Sequence, residues 1–230
     1  MLLSSSSSTP LIPTRPIRAY LFDLDGTLID SKLDLVSSVN AMLRQTGRVQ
    51  LPIETVASYI GHGAAQLVAD VLGPNASDAD RKSGLSLFLA HYQNHKLDAT
   101  RPYPGVMEGL QALGGFPCAV LTNKPAKFSM EILEALSMLK FFRGVYGADS
   151  FATRKPDPAG ALSILKDFRI PPSEAAMVGD SDVDILTARN AGMFAVGVTF
   201  GFGQHDRAAN PADRYLDTLV DLAPLSLQKP

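Results

Sequence analysis

The sequence predicts an α/β fold: a parallel sheet covered by helices on both faces, with a purely helical unit inserted after its first strand. Three observations carry that expectation. The apolar run Ile17-Arg18-Ala19-Tyr20-Leu21-Phe22 leads into an acidic turn, Asp23-Leu24-Asp25-Gly26-Thr27-Leu28-Ile29-Asp30. Short apolar runs alternate with helix-period segments after Pro102, the pattern of repeated strand-helix units. Between Ser31 and about Thr100 no segment reads as a strand.

The first run, rich in β-forming residues, reads as a buried strand of a parallel sheet. Asp23 and Asp25 then emerge at its carboxyl end, where open α/β sheets bind ligands. On a continuing strand the two acids would point to opposite faces. Gly26 permits the tight turn that brings both to one cavity. From Ser31 to Gly47, Leu35, Val39, Met42 and Leu43 recur at helical spacing. Pro52 to Leu72 continues the helical pattern, interrupted at Gly61-His62-Gly63. Asp78 to Lys96 places Leu85, Phe88, Leu89 and Tyr92 on one face.

Alternation resumes after Pro102-Tyr103-Pro104-Gly105. Val106–Leu113, Ala126–Leu136, Pro158–Phe168 and Asp182–Ala191 read as helices. Pro125 is expected as the first residue of the second, and Asp157 as the N-cap of the third. Strands are expected at Pro117–Leu121, Gly144–Gly147, Ala175–Gly179, Phe194–Val198 and Arg214–Leu216, with a closing helix over Asp217–Leu227.

Composition excludes several classes. Of 230 residues, 46% are hydrophobic and 19% charged, and the net charge is −2 with both signs scattered, so no nucleic-acid surface is indicated. The single cysteine, Cys118, excludes an internal disulfide and sits in an apolar run, as a buried structural thiol does. No apolar stretch is long enough to span a bilayer. The Ser- and Pro-rich stretch from Met1 to Pro16 reads as a flexible extension without the features of a secretion signal, so a cytoplasmic location is expected.

Polar residues follow each later strand. Thr122-Asn123-Lys124-Pro125 precedes a helix; it can serve as a simple cap, or the Thr122 hydroxyl and Asn123 N–H can meet a phosphate there. Lys155, beside Pro156 and near Pro158, is either a solvated surface lysine or a point charge held for a phosphate or carboxylate. Gly179-Asp180-Ser181-Asp182-Val183-Asp184 puts Asp180 at a strand tip and Asp184 one helical turn on. A hard cation such as Mg²⁺ takes oxygen ligands. Asp23 and Asp180 can supply carboxylates, and Asp25 its backbone carbonyl.

These stretches together resemble the four motifs of the haloacid dehalogenase-like phosphohydrolases, in order: Asp23-Leu24-Asp25-Gly26-Thr27; Thr122-Asn123; Lys155; and Gly179-Asp180 with Asp184. The likeness spans Arg18 to Leu222. It implies a Rossmann-like core over 17–31 and 101–230, an α-helical cap over 32–100, and an extension over 1–16. It implies Asp23 as the nucleophile that becomes an aspartyl-phosphate and Asp25 as general acid and base. Thr122 and Lys155 would hold the phosphoryl oxygens, and Asp180 and Asp184 would serve Mg²⁺. The presence of both Asp25 and the Asp180 site favours phosphoryl transfer over the metal-free dehalogenation that names the family.

Within the cap, Tyr59-Ile60-Gly61-His62-Gly63 resembles the substrate loop of phosphoglycolate phosphatases, as do Asp30–Leu35 and Pro102–Val106; an ordinary interhelical turn accounts for Gly61-His62-Gly63 equally well. The resemblance thus implies hydrolysis of a small phosphorylated metabolite, with 2-phosphoglycolate leading, by a monomer or homodimer. His62, Lys32 and Arg101 are the candidate partners for its carboxylate. Pyrophosphate or nucleotide hydrolysis, a β-phosphoglucomutase-like isomerase and a non-catalytic binding protein on the same fold are the alternatives. The mutases carry a histidine shortly after the first motif, and none stands between Asp30 and Gly61.

Overall fold

The computed structural model describes residues 16–222. The expected N-terminal extension and the end of the expected closing helix fall outside that range; within it, the chain forms a short 3₁₀ turn at Leu219–Leu222. In chain order the elements are β1 (Ala19–Phe22), β2 (Ile29–Asp30), α1 (Lys32–Gln45), α2 (Ile53–Ala57), α3 (Ala64–Leu72), α4 (Asp78–His95) and β3 (Arg101–Pro102). There follow α5 (Val106–Ala112), β4 (Cys118–Leu121), α6 (Ala126–Ala135), β5 (Gly144–Tyr146), α7 (Ala159–Phe168), β6 (Ala175–Gly179), α8 (Asp182–Ala191), β7 (Phe194–Val198) and β8 (Arg214–Leu216).

Six strands form one parallel sheet in the order β5-β4-β1-β6-β7-β8. The chain moves outward from β1 to one edge through β4 and β5, then returns to the other side of β1 and runs outward through β6, β7 and β8. That reversal makes the carboxyl ends of β1 and β6 the place where a crevice opens. Side chains alternate across the sheet. Tyr20, Phe22, Val120 and Val178 enter one core, and Ala19, Leu21, Ala119 and Met177 enter the other. The first core continues without a break into the helical insert through Leu35, Val39, Met42, Leu67, Phe88 and Tyr92. Cys118 is buried, and burial pushes its thiol up to about 12, as an inert structural cysteine requires.

The two crossings between the sheet and the helical insert are paired with each other. Residues of β2 and β3 pair antiparallel, Ile29 with Pro102 and Asp30 with Arg101, so both crossings run side by side as a ribbon. Asp34 ties that ribbon to α1. Its buried carboxylate accepts the Ala99 N–H at 2.9 Å, the Thr100 N–H at 2.9 Å and the Thr100 hydroxyl at 2.7 Å. Two helix starts also differ from expectation. Pro158, not Asp157, occupies the N-cap position of α7, although the Asp157 carboxylate accepts the Ala159 N–H at 2.9 Å. Pro125 is the N-cap of α6 rather than its first residue. A proline has no N–H to leave unsatisfied at a helix start, so it tolerates either place.

Candidate active site

The acidic turn after β1 closes on itself: the Gly26 N–H donates to the Ile29 carbonyl at 2.9 Å and the Ile29 N–H to the Leu24 carbonyl at 3.1 Å. Gly26 sits at φ +83°, and a Cβ there would lie 2.0 Å from Asp180 Oδ2. Any other residue would be strained and would displace that carboxylate. Asp23 is buried at the strand tip. Its Oδ1 accepts the Leu24 N–H at 2.7 Å and meets Lys155 Nζ at 2.9 Å. No described residue donates to its Oδ2.

Lys155, at the end of the loop after β5, is the centre of the charge pattern. Its ammonium is buried between Asp23 and Asp184, 2.6 Å from Asp184 Oδ1. Burial opposes its charge, but Asp184 and Asp23 outweigh that and raise its pKa. Asp184 is completely buried; its other oxygen accepts the Ser181 hydroxyl at 2.7 Å and the Ser181 N–H at 3.2 Å. Asp180 follows β6. Its Oδ2 accepts the N–H groups of Phe202 at 3.0 Å and Gly203 at 2.6 Å, and the Thr27 hydroxyl stands 3.4 Å from Oδ1. A Cβ on Gly201 would lie 2.3 Å from the Asp180 Cβ, so that loop approaches only because it is bare there. The loop Gly201-Phe202-Gly203 was not singled out from sequence. Its two glycines were the available signal, but only the fold shows what they face.

Carboxylate oxygens of Asp23, Asp180 and Asp184 lie within 4.8 Å of one another. Three carboxylates face one ammonium, which leaves a deficit of positive charge. Burial first, then the charges of Asp184 and Asp23, push Asp180 up to about 8. Asp23 rises to about 6, chiefly through burial, with Lys155 working the other way. An all-oxygen, anionic donor set of this kind suits a hard divalent cation. Asp25 lies outside that trio; its carboxylate pairs with Lys124 Nζ at 2.7 Å and 2.9 Å and accepts the Ser31 hydroxyl.

Thr122 and Asn123 follow β4 and are buried. The Thr122 hydroxyl accepts the Lys124 N–H at 3.3 Å. The Asn123 side-chain amide donates to the Gly61 carbonyl at 3.0 Å and the Lys155 carbonyl at 3.1 Å, joining the insert to two strand-end loops. The structure therefore brings Gly61 and Gly63 to the site, where both line a cavity with Asp23, Asp25, Thr122, Asn123 and Asp180. It does not bring His62 there. That residue lines a neighbouring surface cleft with Arg154 and Lys155. Lys32 and Arg101 do not line the cavity either: Lys32 lies over the Phe202 ring at 5.6 Å, and Arg101 donates to the Thr100 carbonyl at 2.6 Å.

The model of the haloacid dehalogenase-like hydrolase family matches residues 20–198, a stretch that contains Asp23, Asp25, Thr122, Asn123, Lys155, Asp180 and Asp184. The chain belongs to the haloacid dehalogenase-like hydrolases. Among curated relatives, the phosphoglycolate phosphatase of Nitrosospira multiformis is 40% identical over 196 residues, covering 82% of this chain and 86% of the relative. Phosphoglycolate phosphatase 1 of Pseudomonas aeruginosa is 37% identical over 232 residues, covering 97% and 85%. A crystal structure described as a predicted phosphoglycolate phosphatase from Haemophilus somnus superposes with a TM-score of 0.87 at 30% identity, covering 93% of this chain and 99% of the other. The sheet order and the strand-end placement of the acids are thus those of a haloacid dehalogenase-like hydrolase. Among the described residues no helix is long and apolar enough to cross a membrane.

Proposed function

We propose that this haloacid dehalogenase-like hydrolase is a Mg²⁺-dependent phosphatase that hydrolyses 2-phosphoglycolate through an aspartyl-phosphate on Asp23. The observation that carries the chemistry is the asymmetric Asp23 carboxylate. Lys155 and the Leu24 N–H hold Oδ1, while Oδ2 has no donor among the described residues, and Asp23 lines a cavity. A carboxylate fixed by one oxygen presents the other as an oriented nucleophile. The names of the curated relatives favour phosphoglycolate as the substrate.

In this reading Oδ2 of Asp23 attacks phosphorus and the P–O bond to the alcohol breaks. Asp25, across the cavity, gives a proton to the departing alkoxide and later takes one from the water that cleaves the acyl phosphate. Lys155, Thr122 and the Asn123 N–H hold the phosphoryl oxygens as they change geometry. Asp23 and Asp180 would ligate Mg²⁺ with the Asp25 carbonyl, and Asp184 would steady Lys155 and orient metal-bound water. The cation supplies positive charge that offsets the phosphate and the nucleophile together. Helices α1–α4 act as the cap, and their Gly61–Gly63 loop, joined to Asn123, covers the site and excludes water.

Phosphate release across 2-phosphoglycolate, pyrophosphate, hexose phosphates and nucleoside monophosphates tests the assignment. The highest kcat/KM is expected with 2-phosphoglycolate, and a preference for any other member of the panel rejects it. The chamber above the acids supports this order. Its insert side is lined by apolar side chains, Leu67, Phe88 and Leu89 among them, with the Tyr92 hydroxyl as the polar group there, too few partners for the hydroxyls of a sugar.

The cation assignment has its own signature. The pKa values of Asp180 and Asp23 lie above those of the unfolded chain, so the folded protein binds more protons between about pH 4 and pH 8. Stability of metal-free protein therefore falls as pH rises through that window. Mg²⁺ competes with those protons, and the rise in Tm it produces is expected to be larger at pH 8.5 than at pH 5.5. An equal or reversed pattern in thermal melts would count against binding at these carboxylates.

A further inference from the structure

The cavity contains two polar groups that the reaction as derived does not use. One is Lys124, which is buried yet lines the cavity. Its ammonium lies 2.7 Å and 2.9 Å from the two oxygens of Asp25 and 4.6 Å from the centre of the Tyr92 ring. The other is the hydroxyl of Tyr92 itself. Tyr92 is 1% exposed and lines the same cavity; its buried hydroxyl has no hydrogen-bond acceptor among the described residues, and the polar group it interacts with is the Lys124 ammonium, itself only a donor.

A buried hydroxyl whose proton has no acceptor is unfavourable, and native structures keep few of them. Packing does not explain this one, because phenylalanine would fill the same space. The ring is fixed by a stack on Phe88 at 5.7 Å and an edge contact with Phe128 at 5.5 Å, so the hydroxyl has a set position. Burial pushes the phenol up to about 12, only partly offset by the charge of Lys124 and a hydrogen bond from it, so the hydroxyl keeps its proton. Two donors, one of them cationic, thus stand together in a chamber that is otherwise apolar on its insert side.

We propose that Lys124 Nζ and Tyr92 Oη form the recess that receives the carboxylate of the leaving group, and that this pair selects esters whose alcohol carries an anion. The proposal rests on the phosphatase reading above and assigns the specificity of that site. The carboxylate accepts from the tyrosine hydroxyl and from the ammonium, which is shared with Asp25. The same ammonium thereby positions the acid and the alcohol it protonates, from opposite sides. Specificity then resides in the residue after Thr122-Asn123 and in the last turns of α4, not in His62.

A matched pair of esters tests this: 2-phosphoglycolate and ethyl phosphate, which differ by a carboxylate in place of a methyl group. With full-length protein and saturating Mg²⁺, the ratio of their kcat/KM values is the readout, so losses common to both esters cancel. Tyr92→Phe is expected to lower the ratio about tenfold and Lys124→Met about a hundredfold, the range for hydrogen bonds to charged groups. Tyr92→Phe is also expected to leave Tm unchanged or raise it, because it removes an unsatisfied hydroxyl. A merely structural tyrosine would lower Tm and leave the ratio alone. In the wild type, glycolate is expected to inhibit more strongly than ethanol, a comparison that needs no variant. Hydrolysis of both esters without preference, or an unchanged ratio in both variants, overturns the recess and leaves the phosphatase reading standing. Failure of the wild type to release phosphate from either ester overturns both.

Discussion

Asp23→Asn is expected to abolish phosphate release, by about 10⁴-fold or more, while the fold persists. The amide keeps the size of the side chain and can still accept the Leu24 N–H, but it cannot carry a phosphoryl group through a stable acyl phosphate. Loss of activity alone would not distinguish a nucleophile from a structural acid, so stability is the second readout. In metal-free protein Asp23 is one of three crowded carboxylates and its pKa is raised to about 6. A neutral isostere relieves that repulsion at pH 7.5. The variant is therefore expected to melt no lower than the wild type in the absence of divalent cations. A variant that melts much lower, or that keeps a tenth of wild-type turnover, rejects the nucleophile assignment.

Lys155→Met has the opposite profile. The ammonium is buried and contacts two carboxylates, so its removal leaves Asp23 and Asp184 without a cation beside Asp180. Removing one partner of a buried charge cluster costs about 3–5 kcal/mol, more than the methionine side chain recovers by packing. A drop in Tm of about 10 °C is expected in metal-free protein at neutral pH. Added Mg²⁺ should restore part of that loss, because it supplies positive charge to the same carboxylates. It should not restore turnover, which is expected to fall at least 10³-fold, since the fixed positive charge on the phosphoryl oxygens is gone. A wild-type Tm in this variant would show that Lys155 is not the counter-ion of the cluster.

The two variants separate roles that geometry places 2.9 Å apart. One removes a negative charge from an over-anionic cluster and one removes the ammonium at its centre. Opposite stability effects with a shared loss of activity are what that arrangement requires.

Much of the molecule was legible before its structure. Apart from the closing helix, the short α2 and the β2–β3 ribbon, helix and strand positions agree to within a residue or two, because each is written in a local period: Leu35, Val39 and Met42 on α1, or the unbroken apolar run Ala175–Gly179 on β6. The strand-end motifs were legible for the same reason. Each is a contiguous set of residues whose place at the end of a strand follows from the apolar run before it. Gly26 could be read as a required turn because its conformational freedom is a local property, and it adopts φ +83°.

What the sequence left undecided are side-chain partnerships between segments far apart in the chain. His62 stands between two glycines in a loop that reaches the site, yet it points to the adjacent cleft, and local composition carries no information on that direction. The ribbon of β2 and β3 joins segments about seventy residues apart, and two-residue strands have no readable period. Nothing local to Asp34 marks it as the acid that Ala99 and Thr100 come to meet. Lys124 read as part of a helix cap, and Tyr92 as one member of an apolar stripe. The sequence by itself determined which groups the strand ends present, because strands, turns and periods are local. Only the tertiary structure decided that Lys124 would bind Asp25 and lie against Tyr92, because that contact depends on how α4 packs over the sheet.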